Sequence, residues 1–323
     1  MLRTTLAFCA AALAALAAPL AHAQAYPSKP VRVIVTFPPG GATDTIARAL
    51  SQPLTQALGQ QVVVENRPGA NAIIGMEACA KAAPDGYTLC LTNNDAITFN
   101  PALFAKLPYD PERDLYPIAN VGVIEQVIVA NAGLPAGSFK EMLELSRRNP
   151  GTVTWSSFGP GSMGHLYVDW LNNNARAKIV HVPYKGAGPA MNAVAAGEVG
   201  VSLFAVGAAL PLVKAGKLKP LAIVASKRST HMPDVPTLDE LGYPFVVRAW
   251  LGVFAQKAVP DDVARRLNAE IGKILGDPAF REKWLAVQAI DAAPNSLEQF
   301  AAFIREDQKV ALTNLRAAGI HLD

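Results

Sequence analysis

The sequence predicts an α/β protein of two lobes joined by a two-segment hinge, with a ligand cleft between them. Three observations carry that prediction. From Val31 to Leu91, and again from Ser138 to Ala225, β-branched runs alternate with helical patterns, the βαβ order that builds parallel sheets. Two long β-rich runs, Ile118 to Ala130 and Phe245 to Phe254, flank the second series, so the chain leaves a first domain near Gly122 and returns near Trp250. A chain that crosses twice between domains makes a hinge, and the cleft beside a hinge is a usual place for a small ligand. Residues 24–122 and 250–323 then form lobe 1 and residues 123–249 form lobe 2. One large doubly wound sheet is the alternative.

The first unit is the most informative. Val31 to Thr36 reads as a buried strand, Phe37-Pro38-Pro39-Gly40-Gly41 breaks it, and a helix opens near Ala42. The first N–H groups of a helix lack intrahelical partners and sit at the positive end of its dipole. Gly40 and Gly41 leave an anion room to approach them, which makes a small-anion cradle. A plain βα turn with glycines for packing is the competing reading. Asp44 and Arg48 are spaced i,i+4 with the acid first, which suits helix support without ligand contact.

The elements follow in order. A helix from Thr43 to Leu58 is closed by Gly59, the strand Gln61 to Glu65 leads to a turn at Asn66 to Gly69, and the helix Ala72 to Ala82 precedes the strand Tyr87 to Leu91. That strand runs into Thr92-Asn93-Asn94-Asp95, a polar loop at a strand's carboxyl end, where open α/β sheets hold ligands. Asn93, Asn94 and Thr98 are therefore binding candidates, while turn chemistry explains Asp95. Pro101 to Pro117 looks irregular. The second series runs helix Ser138 to Arg148, strand Thr152 to Ser156, helix Ser162 to Leu171, strand Lys178 to Val182, helix Pro189 to Ala196, strand Val199 to Phe204 and strand Pro220 to Ala225. Helices Asp261 to Leu275, Phe280 to Leu285 and Leu297 to Ala317 close the chain.

Two further strand–loop–helix junctions bear on chemistry. In Ser156 to His165 the hydroxyls of Ser157 and Ser162 suit one end of a polar ligand, and Ser162 also suits a helix N-cap. The stretch fails as a nucleophile elbow because Pro160 stands where the first glycine belongs. No spacing brings His181, His231 and Asp234 together as a triad, so no catalytic residue is assigned. In His181 to Gly186, Tyr184 and Lys185 sit at a strand's carboxyl end, with Lys185 either an anion contact or a solvated lysine. The histidines lack metal-ligand spacing, and no P-loop or G-x-G-x-x-G opens a helix, so neither a metal nor a cofactor is expected.

Bulk properties narrow the class. The chain has 323 residues, 51 % hydrophobic and 17 % charged, with a formal net charge of +3. Lys and Arg are scattered singly, without the basic stripe a nucleic acid needs. Arg3, an apolar run from Leu6 to Leu20 and Ala21-His22-Ala23 read as an export signal cleaved after residue 23. The run is shorter than the ~20 residues of a spanning helix. Two cysteines remain after cleavage, Cys79 and Cys90. With Cys79 a turn before a helix end and Cys90 late in a strand, their Cα atoms are expected beyond the ~7 Å reach of a bridge, as two buried thiols.

Several motifs in one order carry a resemblance: Phe37 to Gly41 with Asp44 and Arg48, Glu65-Asn66-Arg67-Pro68-Gly69-Ala70, Pro84-Asp85-Gly86-Tyr87-Thr88-Leu89, His181 to Gly186, Arg228-Ser229 and Pro233-Asp234-Val235-Pro236-Thr237. The chain resembles the Bug family, the periplasmic receptors of tripartite tricarboxylate transporters. The resemblance implies a periplasmic-binding-protein fold, type II-like, a periplasmic location and a monomer without enzyme activity. It also implies delivery of a small carboxylate to membrane permease subunits, or signalling to a membrane sensor by a solo receptor. It places a carboxylate between the loops Pro38 to Thr43 and Tyr184 to Gly188, which brings Phe37, Pro39, Gly40, Gly41, Ala42 and Thr43 together with Tyr184, Lys185 and Gly186. Two departures stand out: Gly200 and Ala205 replace acids common in the family, and their loss argues against a ligand ammonium. Ala205 itself remains a candidate contact.

Overall fold

The computed structural model describes residues 26–244, 247–293 and 295–318. The predicted signal at residues 1–23, and Phe245 at the head of the second β-rich run, lie outside the described residues. The strands are β1 (Val31–Val35), β2 (Val62–Asn66), β3 (Thr88–Asn93), β4 (Leu115–Ile124), β5 (Gln126–Asn131), β6 (Thr154–Ser157), β7 (Val180–Pro183), β8 (Val201–Ala205), β9 (Leu218–Val224), β10 (Ala249–Gln256) and β11 (Ile290–Ala292). They form two sheets, one of six strands in the order β11-β4-β10-β3-β1-β2 and one of five in the order β7-β6-β8-β5-β9. In the first sheet β1 runs parallel to β2 and β3, and β10 pairs antiparallel with both β3 and β4. In the second, β6 is parallel to β7 and β8, while β5 is antiparallel to β8 and β9. Two mixed sheets, not one doubly wound sheet, give the molecule two lobes.

Eight helices are used below: α1 (Ala42–Leu58), α2 (Ile73–Ala80), α3 (Phe139–Arg148), α4 (Met163–Asn174), α5 (Ala187–Ala196), α6 (Val206–Lys214), α7 (Asp261–Gly276) and α8 (Leu297–Ala318). The first shows how sequence sets an element. Ile46, Leu50, Leu54 and Leu58 recur at helical spacing and are all buried. Gly59 then ends the helix at φ 70°, a left-handed conformation that costs glycine little, and its N–H bonds Thr55 O at 3.0 Å.

The β-rich run from Ile118 to Ala130 divides at Glu125, with β4 in one sheet and β5 in the other. Glu125 is tied on every side. Its N–H donates to Ala289 O at 3.0 Å, its carbonyl accepts from Val206 N at 2.8 Å, and its carboxylate accepts from the Ser229 hydroxyl. The chain returns at Ala249, where β10 begins, four residues later than the β-rich pattern suggests. At the crossing, two elements escaped the sequence reading. α6 follows β8 directly, and β11 pairs with β4 beside the crossing, Ile290 opposite Ile124. The turn before β11 lies against the start of α6 so closely that a Cβ on Gly207 would fall 2.5 Å from the backbone carbon of Gln288.

α8 is anchored by one buried acid. Asp307 accepts from Trp250 Nε1 at 2.8 Å and from Thr98 Oγ1 at 3.0 Å, with Arg248 Nε at 3.4 Å. Burial raises its carboxyl pKa against the opposing pull of those donors. The network joins α8 to β10 and to the π-helical turn Asp95–Phe99 that follows β3. That turn replaces the expected polar loop: the strand continues through Asn93, and a helical turn starts almost at once.

Cys79 and Cys90 form a disulfide, with Cα atoms 6.2 Å apart, which corrects the expectation of two free thiols. The expected separation was too large because α2 ends at Ala80, which puts Cys79 in its last turn. Cys90 is the third residue of β3, not a late one, and both cysteines are fully buried at the α2–sheet contact. An intervening loop of this length constrains the unfolded chain by about 3 kcal/mol. The double variant Cys79→Ala with Cys90→Ala is expected to lose roughly that much stability in urea titration; an unchanged midpoint would show that the bridge adds nothing.

Candidate functional site

A cavity of about 390 Å³ lies between the two sheets, at the carboxyl ends of β1, β3, β6 and β8. Four helices begin on it: α1 with Gly41, Ala42 and Thr43, α4 with Met163 and Gly164, α5 with Ala187 and Gly188, and α6 just after Ala205. Each brings N–H groups without intrahelical partners and the positive end of its dipole. No Lys, Arg or His is among the described residues lining the cavity, so positive potential there comes from backbone alone.

The loop Phe37 to Gly41 is shaped by Asp44, whose carboxylate is held by four donors. Gly40 N–H reaches its Oδ2 at 3.0 Å, Arg48 Nε the same oxygen at 3.1 Å, Arg48 Nη2 its Oδ1 at 3.0 Å, and Asn66 Nδ2 its Oδ1 at 2.8 Å. Asn66 Nδ2 also donates to Phe37 O at 3.1 Å, which ties the loop to the end of β2. Burial pushes the Asp44 carboxyl up, but the Arg48, Gly40 and Asn66 bonds outweigh it and the net shift is downward. Gly40 sits at φ 88°, where a side chain is strained, whereas Gly41 at φ −80° is ordinary backbone. Asp44 and Arg48 do not line the cavity; they support the helix and the loop, as their spacing predicts.

Of the residues the sequence singled out, Phe37, Pro39, Gly40, Gly41, Ala42, Thr43, Asn93, Asn94, Ser157 and Ala205 line the cavity. Five others stand elsewhere. Thr98 is turned to Asp307, and the Ser162 hydroxyl donates to Gly159 O at 2.6 Å; Ser162 holds the N-cap position of α4 but makes no side-chain cap bond. Tyr184 donates its N–H to Ser157 O at 2.9 Å, and Lys185 is exposed. Gly186 faces the opposite loop, where an added Cβ would lie 3.0 Å from Pro38 Cγ, so the loops of the two lobes touch. Gly200 lies among Leu134 and Thr154 at the far end of β8, away from the cavity.

Two features were not read from the sequence. Asp95, assigned there to turn chemistry, lines the cavity at 3 % exposure. It accepts from the Asn93 side chain and from Met163 N–H at the start of α4, across the cleft, yet desolvation dominates and pushes its pKa up to about 7. The second is a pair of stacked imidazoles. Ser157 Oγ lies 2.6 Å from His181 Nε2, and the His181 ring stacks on His165 with centroids 4.1 Å apart. Burial, and then the charge of His165, bring His181 down to about 4, so both the ring and its serine partner are neutral at neutral pH. Gly161 N–H donates to His165 Nδ1 at 3.2 Å, and the Asp169 carboxylate lies 3.4 Å from its Nε2. His181 is backed by an aromatic ring and not by an acid, which is an arrangement that fixes Ser157 in place.

A cavity closed from two sides by separate α/β lobes, and lined by strand ends and helix starts, defines a solute-binding protein. The chain belongs to the tripartite tricarboxylate transporter receptor family, whose profile matches residues 46–318. It is 39 % identical to Protein BugT of Bordetella pertussis over 295 residues, covering 90 % of each chain. The solved structure of periplasmic binding protein BugD is 30 % identical, superposes with a TM-score of 0.85, and is matched over 92 % of this chain and all of that one. MatC from Rhodopseudomonas palustris with bound malate is also 30 % identical, with a TM-score of 0.84 over 90 % of this chain and all of that one.

The raised pKa of Asp95 has a sign that can be measured. Because the folded protein keeps this proton to about 7 while an unfolded Asp loses it near 4, stability falls as pH rises through that interval, by on the order of 4 kcal/mol. Asp95→Asn removes this component. In thermal melts of the ligand-free protein the variant is expected to gain on the parent between pH 5 and 7.5; parallel curves would contradict a proton held on Asp95.

Proposed function

We propose that the protein is a periplasmic receptor that captures a small carboxylate in the interlobe cleft and delivers it to the membrane permease subunits of a tripartite transporter. One observation carries the reading: four helix N-termini open onto a cavity without a cationic side chain, and such backbone sites favour small anions. Family membership and the malate seen in MatC support a carboxylate as that anion. The predicted export signal supports the compartment. The receptor acts as a monomer without catalysis. A serine-hydrolase reading, which the strand–turn–helix around Ser162 would invite, finds no support there, because the Ser162 hydroxyl is spent on Gly159 O.

Binding is expected to depend on charge. A carboxylate held by charge-assisted bonds of about 1.5 to 3 kcal/mol each should bind at least tenfold tighter than its neutral amide. A thermal-shift screen of mono-, di- and tricarboxylates against their amides reads this directly, since a ligand at a hundredfold excess over Kd adds roughly 2.7 kcal/mol. Gly41→Val should abolish binding without unfolding the protein, because its Cβ meets nothing nearer than Pro38 O at 3.9 Å. Equal binding of acid and amide, or wild-type affinity in Gly41→Val, would sink the cradle.

We also expect ligand to close the two lobes by bending near Gly122 and Trp250. Small-angle scattering should show a smaller radius of gyration on saturation. An unchanged curve would argue against a hinge.

A further inference from the structure

The fold gathers at one end of the molecule basic residues that are scattered in the sequence. In lobe 2 the strands β6, β7 and β8 run toward the cavity side and α4, α5 and α6 begin there, so the far end of the lobe is built from strand starts and helix ends. Arg148 stands there in the last turn of α3, Arg176 and Lys178 between α4 and β7, Lys214 at the end of α6 and Lys217 just before β9, all exposed. Contacts hold these stretches together. Arg147 Nη2 donates to Ala175 O at 2.6 Å, Lys178 N–H to Ser146 Oγ at 3.3 Å, and Ala132 N–H to Lys217 O at 3.1 Å. Of the five exposed cations, Arg148 alone is in an ion pair among the described residues, with Glu144 at 3.0 Å. The far end of lobe 1 is different: Lys29 pairs with Asp85 at 3.2 Å and Arg113 with Asp114 at 2.7 Å.

Helix dipoles account for part of this. Lys214 sits in a last helical turn, where a cation is favoured, and Arg147 is spent on a carbonyl at such an end. Arg176, Lys178 and Lys217 lie past the helix ends and need another explanation. Their footprint supplies one. Arg176 and Lys178 precede β7, one edge of the five-stranded sheet, and Lys217 precedes β9, the other edge. At about 4.8 Å between neighbouring strands these edges are roughly 20 Å apart, beyond the screening length of about 8 Å at physiological salt. One small anion cannot serve both. A protein partner would seek apolar anchors at the centre of its interface. Among the large hydrophobic side chains exposed in the described residues, Val180 alone stands at this end.

We infer that the far end of lobe 2 docks reversibly on an anionic phospholipid bilayer through Arg176, Lys178, Lys214 and Lys217. A broad cationic face without an apolar anchor suits a diffuse negative surface, and it binds at the headgroups without inserting. The inference goes beyond the receptor reading and rests on it only for a compartment bounded by membranes. Because the face lies at the opposite end of the lobe from the cavity, ligand capture leaves it free. Docking there keeps the receptor beside the plane in which permease subunits lie.

Flotation of the full mature chain with vesicles tests this, one set of equal parts phosphatidylglycerol and phosphatidylcholine and the other of phosphatidylcholine alone. At low salt the protein should bind the anionic set at least about tenfold more than the neutral one, and lose most of that binding at about 0.15 M salt. Arg176→Glu with Lys178→Glu, and separately Lys214→Glu with Lys217→Glu, should each weaken binding about tenfold or more. Lys257→Glu, exposed at the far end of lobe 1, should leave it unchanged. Glycerol phosphate at matched ionic strength should not compete. Circular dichroism melts check that each variant folds; should one double variant fail, the other still decides. Equal binding to both vesicle sets, wild-type binding by a folded double variant, or competition by glycerol phosphate would overturn the inference and leave the receptor reading intact. The carboxylate screen needs no vesicles, so its failure would sink the receptor reading without touching this result.

Discussion

The site depends on a carboxylate that never reaches the ligand cavity. Asp44 collects the Gly40 amide, the Arg48 guanidinium and the Asn66 amide, and so fixes the path of the loop that separates β1 from α1. With 6 % of its side chain exposed, such a charge is tolerable only because it is paired and hydrogen-bonded on both oxygens. The pairing also settles what the site lacks. Arg48 is the first basic residue after the loop in sequence, and it is committed to Asp44. What is left to face the cavity from this loop is main chain.

That division explains the character of the cavity. Backbone N–H groups present a fixed field that needs no side-chain ordering, and their direction is set by the helices they begin. Side chains then furnish shape through Phe37, Phe158, Phe204 and Leu251, and a single polar corner through Asn93, Asn94 and Asp95. The backbone field and the apolar shape of the cavity thus come from different parts of the chain.

Much of this was legible before any coordinates. The strand–glycine–helix pattern from Val31 to Arg48 marks the loop that lines the cavity, because φ-permissive residues there let the chain turn sharply from a β-branched run into a helix. The βαβ order marks the parallel strands, and the two long β-rich runs mark the crossings. What stayed hidden depended on contacts distant in sequence. Thr98 lies at a plausible offset from β3, but a π-helical turn points it at Asp307, 209 residues away. Asp95 looked like turn chemistry because nothing local reveals that Met163 of the other lobe meets it. The disulfide was misjudged from average rises per residue, which ignore where a helix stops: α2 ends two residues sooner than expected, and Cys79 lies over Cys90. α6 was missed because Val206 to Lys214 carries Pro211, ordinarily a helix breaker.

Gly207 has a mechanical meaning. Main chain meets main chain where α6 abuts the turn before β11, with no side chain between them to compress or rotate. Glu125 is bonded to both partners of that contact, to Val206 on one side and Ala289 on the other. The crossing is therefore stiff at this point, with main chain against main chain and Glu125 bonded on both sides of it. Sliding one lobe along the other would break these bonds, whereas turning about them leaves them intact. Ile124 and Gln126 on either side of Glu125, and Gln288 of the same contact, line the cavity, so this stiff crossing is also one of its walls, opposite the place where Pro38 and Gly186 face each other.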